Sequence, residues 1–175
     1  MANGSDRAAN LVLAGFMGTG KSMVGRLVAE RLGLAFVDTD AEIERRAGRS
    51  IAQIFAQDGE AAFRRLEAQV CQEVAAGRGQ VIAVGGGALL DDSTRQAFER
   101  TGLIVCLTCS LDEILRRVGD DPARPLFSTD RERLTALYAA RAAHYAALPH
   151  TVDTTARTPA AVAGEVIRLW TQHQS

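Results

Sequence analysis

Lysine is almost missing from this 175-residue chain. Lysine and arginine together account for 20 residues, and Lys21 is the one lysine among them. The two side chains differ chemically, because guanidinium is a planar fork whereas ammonium is a compact charge on a flexible stem. A lysine kept at one position in a background of arginine indicates a task that a guanidinium does not perform.

Long apolar segments and a strong excess of charge are also missing. No apolar run approaches the roughly 20 residues that a membrane-spanning helix requires, and the polar residues 1–7 lack the apolar stretch of a signal peptide. The formal net charge of -1 gives no basic field that would attract nucleic acid or an anionic membrane. We therefore expect a cytoplasmic protein without nucleic-acid or membrane partners, in which residues 1–9 form a disordered lead-in.

Cysteine is scarce, and Cys71, Cys106 and Cys109 are the three in the chain. An odd number at these spacings does not form a disulfide framework, which favours a reducing compartment. Cys106 and Cys109 form a C-x-x-C pair, but no histidine spacing completes a zinc site. Ser110 and Glu113 have the spacing of a capping box, which places the pair in the preceding strand rather than at a helix N-terminus, where a redox pair begins. We therefore expect core cysteines.

The composition, with 47% hydrophobic residues, is that of an ordinary globular protein. The length predicts a single domain over residues 1–175. Short apolar runs without polar alternation, typical of strands buried on both faces, alternate with segments of helical periodicity. The strand candidates are residues 11–14, 34–37, 81–84, 103–108 and 151–152. Strands that alternate with helices predict an α/β fold in which a parallel sheet carries helices on both faces.

Capping signals predict the ends of several helices. Ser50 with Gln53, and Ser93 with Gln96, have the spacing of capping boxes. Thr158 precedes a proline, the combination typical of an N-cap and a first helical position. The glycines expected to end helices are Gly33, Gly48 and Gly77.

Residues 15–22, Gly-Phe-Met-Gly-Thr-Gly-Lys-Ser, match the phosphate-loop pattern G-x-x-x-x-G-K-[ST] at every fixed position. The motif lies between an apolar strand candidate and an amphipathic helix, which is the context that it requires. Its backbone N–H groups would point at phosphate oxygens, Lys21 would reach the β- and γ-phosphates, and Ser22 would ligate Mg²⁺. A guanine-specific Asn-Lys-x-Asp motif is excluded, because the chain has no second lysine.

Two further motifs follow strand candidates directly. Asp38-Thr39-Asp40 comes after the second candidate, and glycines 85–87 come after the third. In open α/β sheets the carboxyl ends of the strands face the ligand crevice, so we expect both motifs near the phosphate loop. One aspartate can hold Mg²⁺ through water while the other orients an attacking hydroxyl and accepts its proton. The alternative is that Asp40 does no more than cap a helix over residues 41–47.

Two other segments allow a structural or a functional interpretation. Arg64 and Arg65 are either part of a solvated helix face or a fork suited to a substrate carboxylate. Residues 119–130 contain two prolines and little periodicity, which predicts a loop. A loop of this length is either an ordinary surface loop or a functional lid.

Six motifs, in their order and spacing, resemble those of the shikimate kinase family over residues 11–169. They are the phosphate loop, Asp-Thr-Asp at 38–40, Gly-Arg-Ser-Ile-x-x-Ile-Phe at 48–55, Gly-Glu-x-x-Phe-Arg-x-x-Glu at 59–67, Gly-Gly-Gly at 85–87 and Arg-Pro-Leu at 124–126. The resemblance implies a three-layer sandwich with a five-stranded parallel sheet, the P-loop NTPase fold of nucleoside monophosphate kinases. It also implies transfer of the ATP γ-phosphoryl group to the 3-hydroxyl of shikimate, with Mg²⁺ as cofactor, in aromatic amino acid biosynthesis.

The resemblance further implies roles for individual residues. Lys21, Asp40 as base and Arg124 of the lid would be catalytic, and Asp38 would hold a Mg²⁺-bound water beside Ser22. The residues implied to bind shikimate are Asp40, Arg64, Gly86, Gly87 and Arg141, with Phe55, Phe63 and Glu67 lining or bracing that pocket. The residues implied to bind ATP are Gly18, Thr19, Gly20, Lys21, Ser22, Met23, Arg117, Arg124 and Arg157.

Two other functions stay open at this point. A gluconate kinase or another P-loop kinase of small metabolites would share the fold and the phosphate loop, although paired arginines and Asp-Thr-Asp favour shikimate. A nucleotide-binding switch or interaction module would bind ATP without transferring phosphate, and Asp40 together with a lid arginine argues against it. Whichever of these functions applies, shikimate kinase included, we expect a monomer.

Overall fold

The computed structural model of the chain describes residues 9–119 and 131–175. Within these ranges five strands form one parallel sheet in the order β2-β3-β1-β4-β5. The strands are β1 (Asn10–Gly15), β2 (Ala35–Asp38), β3 (Gln80–Ala83), β4 (Gly102–Thr108) and β5 (Thr151–Asp153). All five strand candidates are confirmed, with ends that shift by no more than a single residue.

Helices connect the strands, as parallel pairing requires. They are α1 (Lys21–Leu32), α2 (Thr39–Ala47), α3 (Ile51–Ala76), α4 (Asp92–Glu99), α5 (Leu111–Gly119), α6 (Arg131–Ala146) and α7 (Pro159–Gln174), and a short 3-10 helix covers Ala88–Leu90. The long helix α3 is interrupted at Gly59, which has the non-helical angles φ 84° and ψ 172°. The interruption separates a short first part from the part that packs on the sheet.

The two faces of the sheet bury separate apolar clusters. Leu11 and Leu13 of β1 pack with side chains of α1 and α7. Val12 and Ala14, which point to the opposite face, pack with side chains from α3 to α6. Because successive residues of a strand point to opposite faces, the continuous apolar run of β1 serves both clusters. The predicted three-layer sandwich is therefore confirmed.

Capping residues were predicted with mixed success. The capping box of Ser50 and Gln53 and the N-cap at Thr158 are confirmed. The second predicted capping box, Ser93 with Gln96, is wrong: Asp91 caps α4 and accepts a hydrogen bond from the Thr94 N–H at 2.8 Å. An aspartate two residues earlier satisfies the free N–H groups of the first turn. The three predicted C-terminal glycines are confirmed, and they are Gly33, Gly48 and Gly77.

All three cysteines are buried free thiols. Cys106 lies in β4, but Cys109 follows the end of that strand, so the expectation that both belong to it is wrong for Cys109. Ser110 does accept a hydrogen bond from the Glu113 N–H, at 3.4 Å. Burial raises the pKa of the Cys71 thiol to about 12 and that of Cys106 to about 11.

Two predicted segments lie almost wholly outside the described residues. Of the lead-in, residues 1–9, the structure describes Ala9, and of the loop at 119–130 it describes Gly119 as the last residue of α5. Within residues 9–119 and 131–175, no helix has both the length and the apolar character needed to cross a membrane.

Candidate active site

The phosphate loop joins β1 to α1 at the carboxyl end of the sheet. Gly15, Gly18 and Gly20 have φ angles of 136°, 76° and 91°, which side chains of L-residues rarely allow. A Cβ atom at Gly15 would also overlap the carbonyl oxygen of Leu107. Because α1 begins at Lys21, the unpaired N–H groups of its first turn lie at the loop. The loop is therefore shaped to bind an anion.

Lys21 reaches back over this loop. Its Nζ atom donates hydrogen bonds to the carbonyl oxygens of Gly15 at 2.7 Å and Phe16 at 2.9 Å. Thr19, which is 1% exposed, donates from Oγ1 to the Phe16 carbonyl at 2.8 Å. These bonds hold the ammonium group where it can meet phosphate oxygens of a ligand in the loop.

Ser22 and Asp38 form the oxygen-rich side of the loop. The Ser22 hydroxyl donates to Asp38 Oδ2 at 2.6 Å. Asp38 Oδ1 accepts from the backbone N–H groups of Asp40 at 3.0 Å and Ala41 at 3.3 Å, which makes Asp38 the N-cap of α2. The alternative that Asp40 caps this helix is therefore wrong, because the helix begins at Thr39. Hydroxyl and carboxylate oxygens are ligands that Mg²⁺ accepts, so the two side chains fit that metal.

The carboxylates of Asp40 and Glu67 both lie beside Gly85. A Cβ atom built at Gly85 would lie 2.8 Å from Asp40 Oδ1 and 2.8 Å from Glu67 Oε1. A side chain at this position would force these carboxylates to shift. The backbone N–H of Gly85 donates to Thr39 Oγ1 at 3.2 Å. This hydrogen bond links the segment that follows β2 to the segment that follows β3, which are neighbours because β2 and β3 pair in parallel.

The next two glycines lie against two arginines from different helices. A Cβ atom at Gly87 would lie 2.7 Å from Arg64 Nη1 of α3, and one at Gly86 would lie 3.2 Å from Arg141 Nη1 of α6. The Tyr145 hydroxyl donates to the carbonyl oxygen of Gly86. Burial raises the pKa of the Tyr145 hydroxyl to about 12. Two guanidinium groups therefore converge beside a backbone segment that has no side chains.

Glu67 holds one of these guanidinium groups. Its Oε2 atom accepts from Arg64 Nη1 at 2.6 Å, and Glu67 is 4% exposed. Burial raises the pKa of this carboxyl, and the hydrogen bond from Arg64 offsets part of that effect. Arg64 also lies over the Phe63 ring, with its central carbon 5.2 Å from the ring centroid, and Phe55 packs on Phe63 at 4.7 Å between centroids. The arginine is held from two sides, whereas its neighbour Arg65 is exposed.

A cavity of about 870 Å³ extends from the phosphate loop past Asp38, Asp40 and Gly86. Arg117 lines it and donates to the carbonyl oxygens of Gly18 at 3.1 Å and Thr154 at 3.0 Å. Every described residue that the resemblance implies for ATP lines this one cavity; they are Gly18, Thr19, Gly20, Lys21, Ser22, Met23, Arg117 and Arg157. Met23 is 60% exposed, and Arg157 donates to the Asp153 carbonyl oxygen at 2.9 Å.

The sequence pattern did not single out every residue of the site. Arg124, predicted to be catalytic, lies outside the described residues. Four further residues make contacts in the site although the sequence analysis did not name them as site residues; they are Thr39, Gly85, Tyr145 and Thr154. Gly85 had a signal, since it is the first of three consecutive glycines. Thr154 had none, because its contact with Arg117 joins distant parts of the chain.

The sequence matches the model of the shikimate kinase family over residues 17–171. The shikimate kinase of Geobacter sulfurreducens is 43% identical over 167 residues, which are 94% of this chain and 92% of that protein. The shikimate kinase of Symbiobacterium thermophilum is 49% identical over 145 residues, or 81% of this chain and 83% of that protein.

Solved structures agree with these matches. A shikimate kinase from Acinetobacter baumannii, solved in complex with shikimate, has a TM-score of 0.87 and 34% sequence identity, covering 95% of this chain and 94% of that chain. A gluconokinase from Sinorhizobium meliloti, with a TM-score of 0.63, covers 95% of each chain but is 18% identical, so its likeness extends to the fold alone. The family match over most of the sequence, together with the relatives and the first of these structures, establishes that this chain belongs to the shikimate kinase family.

Proposed function

We propose that the chain transfers the γ-phosphoryl group of ATP to the 3-hydroxyl of shikimate and releases ADP and shikimate 3-phosphate. The observation that carries the proposal is the position of Asp40, which lines the same cavity as Lys21 and Ser22 of the phosphate loop. The proposed base and the phosphate loop therefore border one crevice. Phosphoryl transfer needs such in-line positioning more than it needs covalent help from the protein.

On the acceptor side, Asp40 accepts the proton of the attacking hydroxyl. A bond forms between that oxygen and the γ-phosphorus, and the bond from phosphorus to the β–γ bridging oxygen breaks. The bridging oxygen leaves as part of ADP. Arg64 and Arg141 bind the shikimate carboxylate, since arginine forks match a planar carboxylate. Gly86 and Gly87 contribute backbone contacts to the ring hydroxyls, and their missing side chains leave room for the ring.

On the donor side, the backbone N–H groups of the phosphate loop bind the β- and γ-phosphates. Lys21 exchanges its carbonyl partners for phosphate oxygens, which its flexible stem allows, and neutralises charge as the γ-phosphoryl group moves. Arg117 and Arg157 flank the adenine. Both already bind carbonyl groups at the cavity wall, so their guanidinium groups are held in place before the nucleotide arrives.

Mg²⁺ fits the side of the loop formed by Ser22 and Asp38. Ser22 would hold the ion directly and Asp38 would do so through a water molecule. When bound, the ion supplies positive charge to the β- and γ-phosphates. In the structure the Ser22 hydroxyl donates a hydrogen bond to Asp38 Oδ2 at 2.6 Å. This bond holds the hydroxyl oxygen and the carboxylate oxygen next to each other.

The remaining assignments belong to the same proposal. Residues 119–130 would close as a lid that excludes water from the transferring group, with Arg124 reaching the phosphate. One kinase domain would span the chain and act as a cytoplasmic monomer. The reaction would be a step in aromatic amino acid biosynthesis. Each of these assignments stays a prediction.

The proposal is tested by measuring ADP release with Mg²⁺-ATP in the presence of shikimate, of gluconate or of neither acid. We expect release that depends on shikimate, with phosphorus NMR of the product showing a phosphate monoester. Release that depends on gluconate instead would identify the other kinase. ATP binding without acceptor-dependent release would indicate a nucleotide-dependent switch.

A further inference from the structure

Thr39, the middle residue of Asp-Thr-Asp, is completely buried, and its neighbours in the chain are the two aspartates that the proposed function uses. Its Oγ1 atom accepts the backbone N–H of Gly85 at 3.2 Å, a bond that spans 46 residues of the chain. A buried hydroxyl costs free energy unless it is hydrogen-bonded, so this bond accounts for a polar residue at a position that valine would fill equally well.

The bond acts where the backbone leaves the sheet. Val84 still donates to the Leu13 carbonyl oxygen of β1, at 3.1 Å. At the next residue, Gly85, the N–H turns to the threonine side chain instead of a strand carbonyl. The Gly85 carbonyl oxygen then accepts from the Ala88 N–H at 3.1 Å, which closes a tight turn. Thr39 therefore fixes the first residue of the glycine segment.

Both ends of this bond lead directly to acceptor-binding groups. On one side, Asp40 follows Thr39 in the chain. On the other side, Gly85 lies against the Asp40 and Glu67 carboxylates, and Gly86 and Gly87 lie against Arg141 and Arg64. A shift of the glycine segment would change the separation between the proposed base and the proposed carboxylate clamp.

We propose that Thr39 is a positioning residue, which sets the distance between the Asp40 carboxylate and the glycine segment through its bond to Gly85. The inference rests on the proposed function, because it concerns the geometry of the same acceptor pocket. It adds a residue that touches neither substrate and acts through the backbone of two segments that do.

Thr39→Val is the direct test, since valine has the same shape but accepts no hydrogen bond. In this variant the Gly85 N–H loses its hydrogen-bond partner. The glycine segment can then shift, and misplaced shikimate lowers the rate of transfer more than it lowers nucleotide binding. We expect kcat to fall by about 10- to 100-fold and KM for shikimate to rise, while KM for ATP stays unchanged. Thr39→Ser keeps the hydroxyl and should restore most of kcat. Thr39→Ala also lacks the hydroxyl that accepts the Gly85 N–H, so it should likewise lower kcat without changing KM for ATP. It serves as the test if the valine variant does not fold.

Thr101→Val is the matched control. Thr101 Oγ1 donates to the Ala97 carbonyl oxygen at 3.2 Å, just before the start of β4 and at the opposite end of the sheet. Its removal should lower stability without changing kcat. If the wild-type enzyme phosphorylates shikimate and the Thr39→Val and Thr39→Ala variants have the same kcat as the wild type, the inference is overturned and the proposed function remains intact. A wild-type protein without shikimate-dependent ADP release would contradict the proposed function itself.

Discussion

The hydroxyl of Ser22 donates a 2.6 Å hydrogen bond to Oδ2 of Asp38, which joins the first turn of α1 to the end of β2. The other oxygen of the same carboxylate caps α2 by accepting the backbone N–H groups of Asp40 and Ala41. One side chain therefore touches the proposed metal site and also holds the backbone of the proposed base. These two contacts can be separated by mutation.

Asp38→Asn keeps a good N-cap, because asparagine and aspartate cap helices about equally well, whereas Asp38→Ala removes the cap. We expect Asp38→Ala to lower the free energy of unfolding by about 1 kcal/mol and Asp38→Asn to lower it much less. Urea denaturation without Mg²⁺ or nucleotide measures this difference. Both variants lose the negative charge, so both should need more Mg²⁺ for half-maximal activity.

Ser50→Ala is the control for the Asp38 variants, since Ser50 caps α3 and accepts the Gln53 N–H at 3.2 Å. It should lose similar stability while its Mg²⁺ requirement stays that of the wild type. Equal stability of the alanine and asparagine variants at position 38 would show that the cap contributes nothing.

Asp40→Asn should bind ATP normally and lose most of its turnover. Asparagine has the shape of aspartate but accepts no proton, and general base catalysis contributes roughly 100- to 10,000-fold. Calorimetry measures nucleotide binding and a coupled assay measures kcat. Glu42→Gln neutralises another carboxylate of α2, one that binds Arg45 and Arg46, and should keep wild-type turnover. A kcat of Asp40→Asn within a few-fold of wild type would exclude Asp40 as the base.

Arg64→Lys should mainly raise KM for shikimate. Lysine carries the charge but lacks the fork, and a hydrogen bond to a charged group contributes about 1.5–3 kcal/mol, or about 10- to 100-fold in affinity. KM for ATP should not change, because Arg64 lies at Gly87 and is not among the residues that line the cavity at the phosphate loop. Steady-state kinetics with each substrate varied in turn make the comparison. Arg65→Lys on the exposed face of the same helix is the control, and equal KM values for the two variants would contradict the clamp.

Glu67 should make stability depend on pH. Burial raises its pKa above the ordinary value of 4.5, so over a range above that value the folded protein holds a proton that the unfolded chain has lost. The free energy of unfolding then decreases as pH rises, since the folded state binds more protons. The contribution is complete below the unfolded pKa and is lost as pH rises through the folded one.

Urea denaturation of the wild type and of Glu67→Gln tests this dependence from about pH 4.5 to about pH 8. The variant lacks the titrating group, so the stability of the wild type minus that of the variant should decrease as pH rises. A difference that stays constant or increases would mean that Arg64, which binds Glu67 at 2.6 Å, keeps the carboxylate ionised throughout.

The capping predictions succeeded where a single side chain could accept the free N–H groups of the helix, and failed where two acceptors lay close together in the chain. The capping box at Ser50 depends on residues three apart and is confirmed. The expected capping box at Ser93 is wrong because Asp91, two residues earlier, competes for the same N–H groups. The same competition decides between Asp38 and Asp40, and Asp38 is the aspartate that caps α2. Spacing alone does not tell which of two neighbouring acceptors a helix uses.

Glycine positions, apolar periodicity and motif spacing are local properties of the chain, so they were enough to predict the phosphate loop, the five strands, the three layers and the family. The contacts within the site could be seen only in the folded chain. Arg64 of α3 lies at Gly87 and Arg141 of α6 at Gly86, the Glu67 and Asp40 carboxylates lie beside Gly85, and Thr39 binds Gly85. These contacts join segments that are far apart in the chain, and helix packing against the sheet sets their distances.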